Sequence, residues 1–336
     1  QLSRGLGDVY KRQGQQLPYI SEQDEVYKND NEVRLLSIVN GDVDYKAQSL
    51  QLASAPALLD GQAQGNYTVD LRPEITLGVF SFNVTHEDEA KRNVFGDVRF
   101  REAMSIAINR AELNDVGFFG EGTPQQYIGF SPKPAFVSDK WMSHATEFDA
   151  ARANSLLDEI GMKDTDGDGF RELPNGDKLV LNMSFATQGI AGQTVELVGQ
   201  YWADVGVQSV VKEVTPDEYR SAQSANKLDV MMWRKSQPLA IVLGNNELWV
   251  PPFENYFGVR TGMLWAEWVD SNGANGVEPP AYVKELISDI NAFQSADQSS
   301  DEFKVLGERM VKNMVENLLF IGTVNAPAPM IPVSYT

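Results

Sequence analysis

Apolar side chains recur at two different spacings in the second half of the chain. Residues 179–186 alternate between apolar and polar, which predicts a strand with one buried face, whereas residues 193–205 carry apolar side chains at helical spacing. Residues 207–214 alternate again, and a helix is predicted to begin at Thr215, because proline follows it and glutamate stands three residues later. Residues 228–233 are almost wholly apolar after their aspartate. This order predicts a sheet that is at least partly parallel, with its last strand buried and central.

Three helix starts are predicted earlier in the chain from residues that can cap a helix. Asp97 precedes an apolar stripe at helical spacing, and Asn109 stands three residues before Glu112, as in a capping box. Asp149 precedes another apolar stripe at helical spacing, in a helix that we expect to end at Gly161.

The remaining segments complete an alternation of strands and helices. Residues 78–84 read as a strand, and residues 283–293 and 303–318 each carry one apolar helical face. Residues 321–324 then read as a strand. Between these elements, residues 234–280 are predicted to be rich in loops and aromatic side chains. The pattern as a whole predicts an α/β fold.

Composition narrows the classes of function. The chain has 336 residues and a net charge of −19, which disfavours binding to nucleic acid or to anionic lipid. Cysteine is absent, which excludes disulfides, thiolate catalysis and Cys-ligated metals, and two histidines leave little for a Ser-His triad. We expect no cofactor.

Both ends of the chain read as cut. Residues 1–13 resemble translated adapter sequence rather than a natural start, so we expect a non-native tail there. The last residues are Pro-rich and strand-like with no closing element. We therefore expect a fragment of a longer protein, in which the absence of a signal peptide carries no information.

Three segments, taken in order, resemble one known family. They are residues 95–113 (FGDVRFREAMSIAINRAEL), 148–173 (FDAARANSLLDEIGMKDTDGDGFREL) and 196–233 (ELVGQYWADVGVQSVVKEVTPDEYRSAQSANKLDVMMW). Their order and spacing are similar to those of the peptide-binding type of extracellular solute-binding proteins, family 5. The resemblance extends over roughly residues 30–325 and is strong because the three segments occur together.

The resemblance implies a two-lobe periplasmic-binding-protein-like fold of type II that closes on a ligand. Residues 14–77 would be a remnant of the first lobe, and residues 78–325 most of the second. Residues 326–336 would begin the return to the first lobe.

The resemblance also implies a function in which the bound solute is not chemically changed. Such a protein captures an extracellular solute, here predicted to be an oligopeptide, and delivers it to an ABC permease in the membrane. An oligosaccharide is the alternative solute, and a glycoside-active enzyme or a sensory or chaperone-like module are competing classes. We expect a monomer that is not an enzyme, periplasmic or extracellular and membrane-anchored, with no nucleic-acid partner.

The strand that ends at Trp233 carries the first candidate ligand contacts. In the family, an acidic residue after this Trp pairs with the amino terminus of a bound peptide. Ser236 stands roughly at that place here, and Arg234 and Lys235 add positive charge. This departure favours a ligand with hydroxyls or a carboxylate. A buried structural role for Trp233 is the alternative interpretation.

Aromatic side chains in the following segment are the second set of candidates. Trp249, Tyr256 and Trp265 are predicted to form a stacking surface for sugar rings or apolar side chains. The alternative is that they pack to hold a long loop in place.

An acidic turn is the only weak candidate for a metal site. Asp164, Asp166 and Asp168 match the first positions of an EF-hand loop, but Asn175 stands where that loop needs a bidentate glutamate. We therefore predict a turn closed by its own Asp side chains, and no metal.

Overall fold

A computed structural model describes residues 24–28, 30–46, 50, 52–72, 77–235, 237–254 and 259–331. The expected non-native tail, residues 1–13, lies outside the described residues. The chain divides into two compact units, a smaller one of residues 1–46, 54–69 and 331–336 and a larger one of residues 47–53 and 70–330. The lobe boundaries expected from the sequence stay a prediction.

Among the residues of the smaller unit that the structure describes there are two α-helices, α1 (Asn31–Val39) and α2 (Ala55–Gly65). The Asp30 carboxylate begins α1 by accepting from two free backbone N–H groups of the first turn. After α2, the buried Tyr67 hydroxyl donates to the Leu58 carbonyl at 2.7 Å, which holds the chain against the helix it has just left.

The larger unit contains nine strands and ten helices among its described residues. The strands are β1 (Asp70–Arg72), β2 (Leu77–Phe82), β3 (Thr123–Pro124), β4 (Val180–Phe185), β5 (Gln208–Glu213), β6 (Val230–Lys235), β7 (Ile321–Gly322), β8 (Val324–Asn325) and β9 (Ala328–Met330). The helices are α3 (Glu89–Gly96), α4 (Val98–Ile106), α5 (Arg110–Phe118), α6 (Ala150–Glu159), α7 (Gly192–Asp204), α8 (Pro216–Ser224), α9 (Leu239–Gly244), α10 (Met263–Asp270), α11 (Ala281–Ser295) and α12 (Asp301–Glu316). Short 3-10 helices lie at Leu52–Ser54 and Asp139–Trp141.

The predicted crossover is confirmed. Strands β4 and β5 pair in parallel from Val180↔Gln208 to Phe185↔Glu213, and α7 connects them. Strand β6, however, pairs antiparallel with β2, from Leu77↔Lys235 to Phe82↔Val230. Strand β7 adds to the other side of β2, so β2 is the middle strand of this three-stranded sheet. The predicted burial of the last strand is confirmed, but its predicted central position is wrong for this sheet, in which β6 lies at one end of the order β6-β2-β7.

Alternate residues of β2 and β6 face two separate apolar clusters, because successive side chains of a strand point to opposite faces. Phe80, Phe82, Val230 and Met232 belong to one cluster, which α4, α6 and α7 complete. On the opposite face, Val79, Met231 and Trp233 belong to the other cluster, which α11 and α12 complete. The two strands are therefore covered on both faces, which explains why 228–233 is an apolar run rather than an alternating one.

The predicted helix starts are confirmed by their capping contacts. Asp97 and Asp149 accept backbone N–H groups of α4 and α6, and Thr215 forms a complete capping box with Glu218 at the start of α8. Asn109 caps α5, but the Glu112 carboxylate accepts from the Asn109 side-chain amide at 3.1 Å and so differs from a standard capping box.

The region 234–280 is less loop-rich than the sequence pattern predicted. It contains α9 and α10, and Trp265 lies on α10 rather than in a loop. Gly and Pro residues on both sides of the two short helices dominate the sequence signal there. Within the described ranges, no helix is both long enough and apolar enough to cross a membrane.

Candidate ligand-binding site

The carboxyl ends of three strands meet at one edge of the larger unit. Strands β4 and β5 are parallel, and β6 runs in the same direction as β4. Two hydrogen bonds show this, from the Asn182 amide to the Asp229 carboxylate (2.9 Å) and from the Arg234 amide to the Gly189 carbonyl (3.2 Å). Strand β2 begins at the same place, where Gly78 pairs with Arg234. We call this region the carboxyl edge and define it by Gly78, Gly189, Ile190, Trp233 and Arg234.

Such an edge is where open α/β sheets commonly bind ligands, because loops diverge there and leave a crevice. The loop after β4 and the segment after β6 both leave the sheet at this edge. The Thr187 hydroxyl donates to the Glu213 carboxylate at the end of β5 (3.1 Å), which joins two of the strand ends.

Trp233 lies in a tight slot at the carboxyl edge. Its ring stacks on buried Tyr219 at 5.5 Å and 30°, and only 4% of the residue is exposed. On its other side is Gly189, where an added Cβ would lie closer than 3.0 Å to three atoms of the indole. Gly189 is therefore required for the position of Trp233.

Replacing Gly189 with alanine should lower the free energy of unfolding by about 2 kcal/mol, because the new methyl group overpacks the indole slot. Urea unfolding followed by tryptophan fluorescence would measure the change. Gly96→Ala is the matched control, since nothing lies within 4 Å of a Cβ added at this helical position. It should be neutral or slightly stabilising. If the two substitutions lowered stability equally, tight packing of Trp233 against Gly189 would be contradicted.

Lys235 is a buried cation directly behind the carboxyl edge. Its ammonium donates to the Phe253 carbonyl, lies 4.8 Å from the centre of the Phe320 ring and is 3.7 Å from the Glu254 carboxylate. Burial lowers the pKa of the Lys235 ammonium to about 8, against the opposing attraction of Glu254. Because its charge is used internally, Lys235 offers no free positive charge to a ligand.

The sequence analysis named Lys235 as positive charge beside the candidate contacts and did not predict its burial, although a signal for burial was present. It stands two residues after Trp233 and four after Met231, so strand alternation places it on their buried face. A lysine on that face needs an internal partner.

The other two candidate tryptophans are also buried. Trp249 has no exposed surface, packs on Phe130 at 5.0 Å and lies against Gly129, where an added Cβ would come within 2.4 Å of the indole. Trp265 is 5% exposed and meets Tyr282 edge-on at 6.3 Å.

The structure places the predicted contacts in different environments. Trp233, Trp249 and Trp265 share one apolar cluster, and Arg234 is half-buried. Ser236 and Tyr256 lie outside the described residues. The packing interpretation accounts for the burial of the three rings, and ligand contact by any of the six residues stays a prediction.

The acidic turn is closed by its own contacts. Asp164 accepts the Gly167 and Gly169 amides, and the Lys178 ammonium lies 2.8 Å from Asp166 and 2.6 Å from Asp168. These two carboxylates raise the pKa of Lys178. Oxygens of the three aspartates and of Glu172 could also converge on one ion, since all lie within 4.8 Å of one another. The lysine supplies positive charge to this cluster, and a metal-free turn stays our prediction.

The chain is similar to known proteins both in sequence and in fold. The family model described as "Bacterial extracellular solute-binding proteins, family 5 Middle" matches residues 8–239. A periplasmic alpha-galactoside-binding protein of Rhizobium meliloti is 26% identical over 256 residues, which are 72% of this chain and 34% of that protein. A probable ABC transporter-binding protein of Deinococcus radiodurans is 26% identical over 172 residues, 49% of this chain and 28% of that protein.

Two solved structures show the same fold. The oligopeptide-binding protein OppA is 29% identical with a TM-score of 0.69, and the match covers 92% of this chain and 51% of that one. The MelB binding protein of Agrobacterium fabrum, solved with stachyose, is 21% identical with a TM-score of 0.71, covering 90% of this chain and 45% of that one. The chain thus spans about half the length of these structures, and a third of the length of the curated relatives.

Proposed function

The chain belongs to the bacterial extracellular solute-binding proteins of family 5, and from that premise we propose that it forms part of a protein that captures an extracellular oligopeptide for an ABC importer. The solute binds at the carboxyl edge and passes to a permease without chemical change. The protein acts as a monomer, either in the periplasm or outside the cell and anchored to the membrane, and has no nucleic-acid partner.

The observation that carries the choice of an oligopeptide is the charge of Arg234. It is half-buried at the carboxyl edge, and its guanidinium has no ion-pair partner within the part of the chain that the structure describes. A guanidinium in a partly desolvated place is suited to a carboxylate, which it can bind through two parallel hydrogen bonds. The terminal carboxylate of a peptide supplies that group.

The neighbouring groups support this choice. Lys235 is engaged with the Phe253 carbonyl and Glu254, so it does not compete for the solute. The 29% identical structure is an oligopeptide-binding protein, which agrees with a peptide solute.

An oligosaccharide is the second candidate solute. It is favoured by the alpha-galactoside-binding relative, and a protein of the same fold holds stachyose. Arg234 could then donate charge-assisted hydrogen bonds to hydroxyl groups, which lack the opposite charge that a carboxylate supplies. A glycoside-active enzyme is not favoured, because both the relatives and the family are described as binding proteins.

Calorimetric titration of the protein expressed from its complete gene would test the peptide assignment. Pentaalanine with a free carboxyl end should bind, and its C-terminal amide should bind about tenfold more weakly, because it lacks the charge that Arg234 pairs with. Arg234→Gln should remove this difference. Arg99→Gln, at an exposed position on α4, should preserve it.

The other outcomes decide between the candidates. Binding of stachyose without binding of pentaalanine would overturn the peptide assignment in favour of the oligosaccharide. Equal binding of the acid and the amide would show that Arg234 does not read a carboxylate.

A further inference from the structure

Phe119 has a backbone conformation that favours glycine. It follows α5 with a φ of +54°, in the left-handed region, and Gly120 continues with a φ of +73°. The Asn114 carbonyl accepts from the Gly120 amide at 3.0 Å, so this is an ordinary left-handed helix end in which phenylalanine stands at a position usually taken by glycine.

Packing of the Phe119 side chain does not explain the choice of residue. The residue is 58% exposed, so most of the ring faces solvent. A bulky residue in left-handed conformation raises the free energy of the fold, and such strain is found preferentially at functional positions. The observation therefore calls for a role that uses the exposed ring.

The end of α5 lies beside the elements that form the carboxyl edge. A Cβ added at Gly117 would lie 4.0 Å from the Thr194 hydroxyl, in the first turn of α7, which begins directly after the loop that contains Gly189. Helices α5 and α7 are in contact. The end of α5 is thereby placed at the start of α7, on the side of the sheet where β4 ends.

The loop after Phe119 is held to the same side. The Asn114 side chain bonds both the amide and the carbonyl of Gly122, at 2.9 and 3.0 Å. A Cβ at Gly122 would overlap the side chain of Val324, on β8, and the preceding residue Thr323 donates to the Gly78 carbonyl at 2.8 Å. Phe119 is thus fixed between two elements that border the carboxyl edge.

We propose that Phe119 contacts the captured solute and selects for an apolar or aromatic side chain of the oligopeptide. The inference rests on the proposed function. An exposed ring next to the binding edge offers a flat apolar face, and a bound side chain that packs on it removes both surfaces from water. The ring contributes to specificity along the peptide, separately from the carboxylate contact of Arg234.

The test compares two peptides and two substitutions in the protein expressed from its complete gene. Calorimetric titration would use pentaalanine and the pentapeptide Ala-Phe-Ala-Phe-Ala. Phe119→Gly should weaken binding of the Phe-containing peptide about five- to tenfold and that of pentaalanine less than about twofold. Phe119→Tyr keeps the ring and should retain both affinities.

Thermal unfolding separates loss of the ring from loss of the fold. Glycine suits a φ of +54°, so Phe119→Gly should melt no lower than the wild type. Equal weakening of both peptides, or no weakening of either, would overturn the inference while leaving the proposed function in place. If the wild type binds neither peptide, the proposed function fails, and this inference fails with it.

Discussion

The substitution Arg110→Met should lower the free energy of unfolding of the larger unit by about 4 kcal/mol. Arg110 is 2% exposed, and its guanidinium donates to the Gly322 carbonyl (2.8 and 3.0 Å), the Ser105 carbonyl (2.8 Å) and the Ser105 hydroxyl (2.9 Å). Methionine fills similar space but donates no hydrogen bond. Buried oxygens from α4 and β7 would lose their donor, and an unsatisfied buried polar group is costly.

Urea unfolding followed by circular dichroism at neutral pH would measure this loss. Arg99→Met is the matched control, because the Arg99 side chain is 45% exposed and bonds mainly to Asp97 beside it. The control should change stability by less than about 0.5 kcal/mol. If Arg110→Met cost no more than the control, the guanidinium would not be holding α5 to the sheet.

The second large effect is a dependence of stability on pH that should come from Lys235. Its pKa is about 8 in the folded protein, lowered by burial from the ordinary value of 10.5. Between these two values the unfolded chain binds a proton that the folded chain does not, so stability rises with pH in that window. Across the whole window the free energy of unfolding rises by about 3 kcal/mol, because below pH 8 the folded protein bears the whole cost of burying the charged ammonium.

Comparison of the wild type with Lys235→Met isolates this contribution, since all other titrating groups are common to both proteins. The stability of the wild type relative to Lys235→Met should rise by about 2 kcal/mol between pH 7.5 and pH 9.5 in urea unfolding. Lys212→Met, at an exposed position on β5, should show no such trend. A difference that stays constant across the range would mean that Lys235 is not buried as a cation.

Local sequence signals predicted much of the secondary structure. The capping box at Thr215 and the caps at Asp97 and Asp149 are formed as expected, and the alternation over 179–186 became strand β4. These signals are reliable because each depends on contacts within one or two turns of chain. The region 234–280 was the exception, since two short helices stand there among Gly and Pro residues.

The candidate site was only partly accessible from the sequence. Trp233 lies in a strand as predicted, but not at its end, since β6 continues for two residues beyond it. The sequence did not predict that the Trp233 ring is enclosed by Gly189 and Tyr219, because those residues come from a loop and a helix elsewhere in the chain. The strain at Phe119 was equally hidden, since a φ value is a property of the folded backbone.

Local patterns along the chain were enough to predict the α/β class, most helix starts, the parallel crossover and the family. They were enough because spacing and capping act over short distances and because the three family segments keep their order. The partner strands of β2, in contrast, depend on contacts between distant parts of the chain. The Ser81 hydroxyl in β2, for example, donates to the Leu319 carbonyl 238 residues away. Pairing at such separations depends on which apolar faces fit together once the chain has collapsed, and this also decided which charged residues, Arg110 and Lys235 among them, became buried.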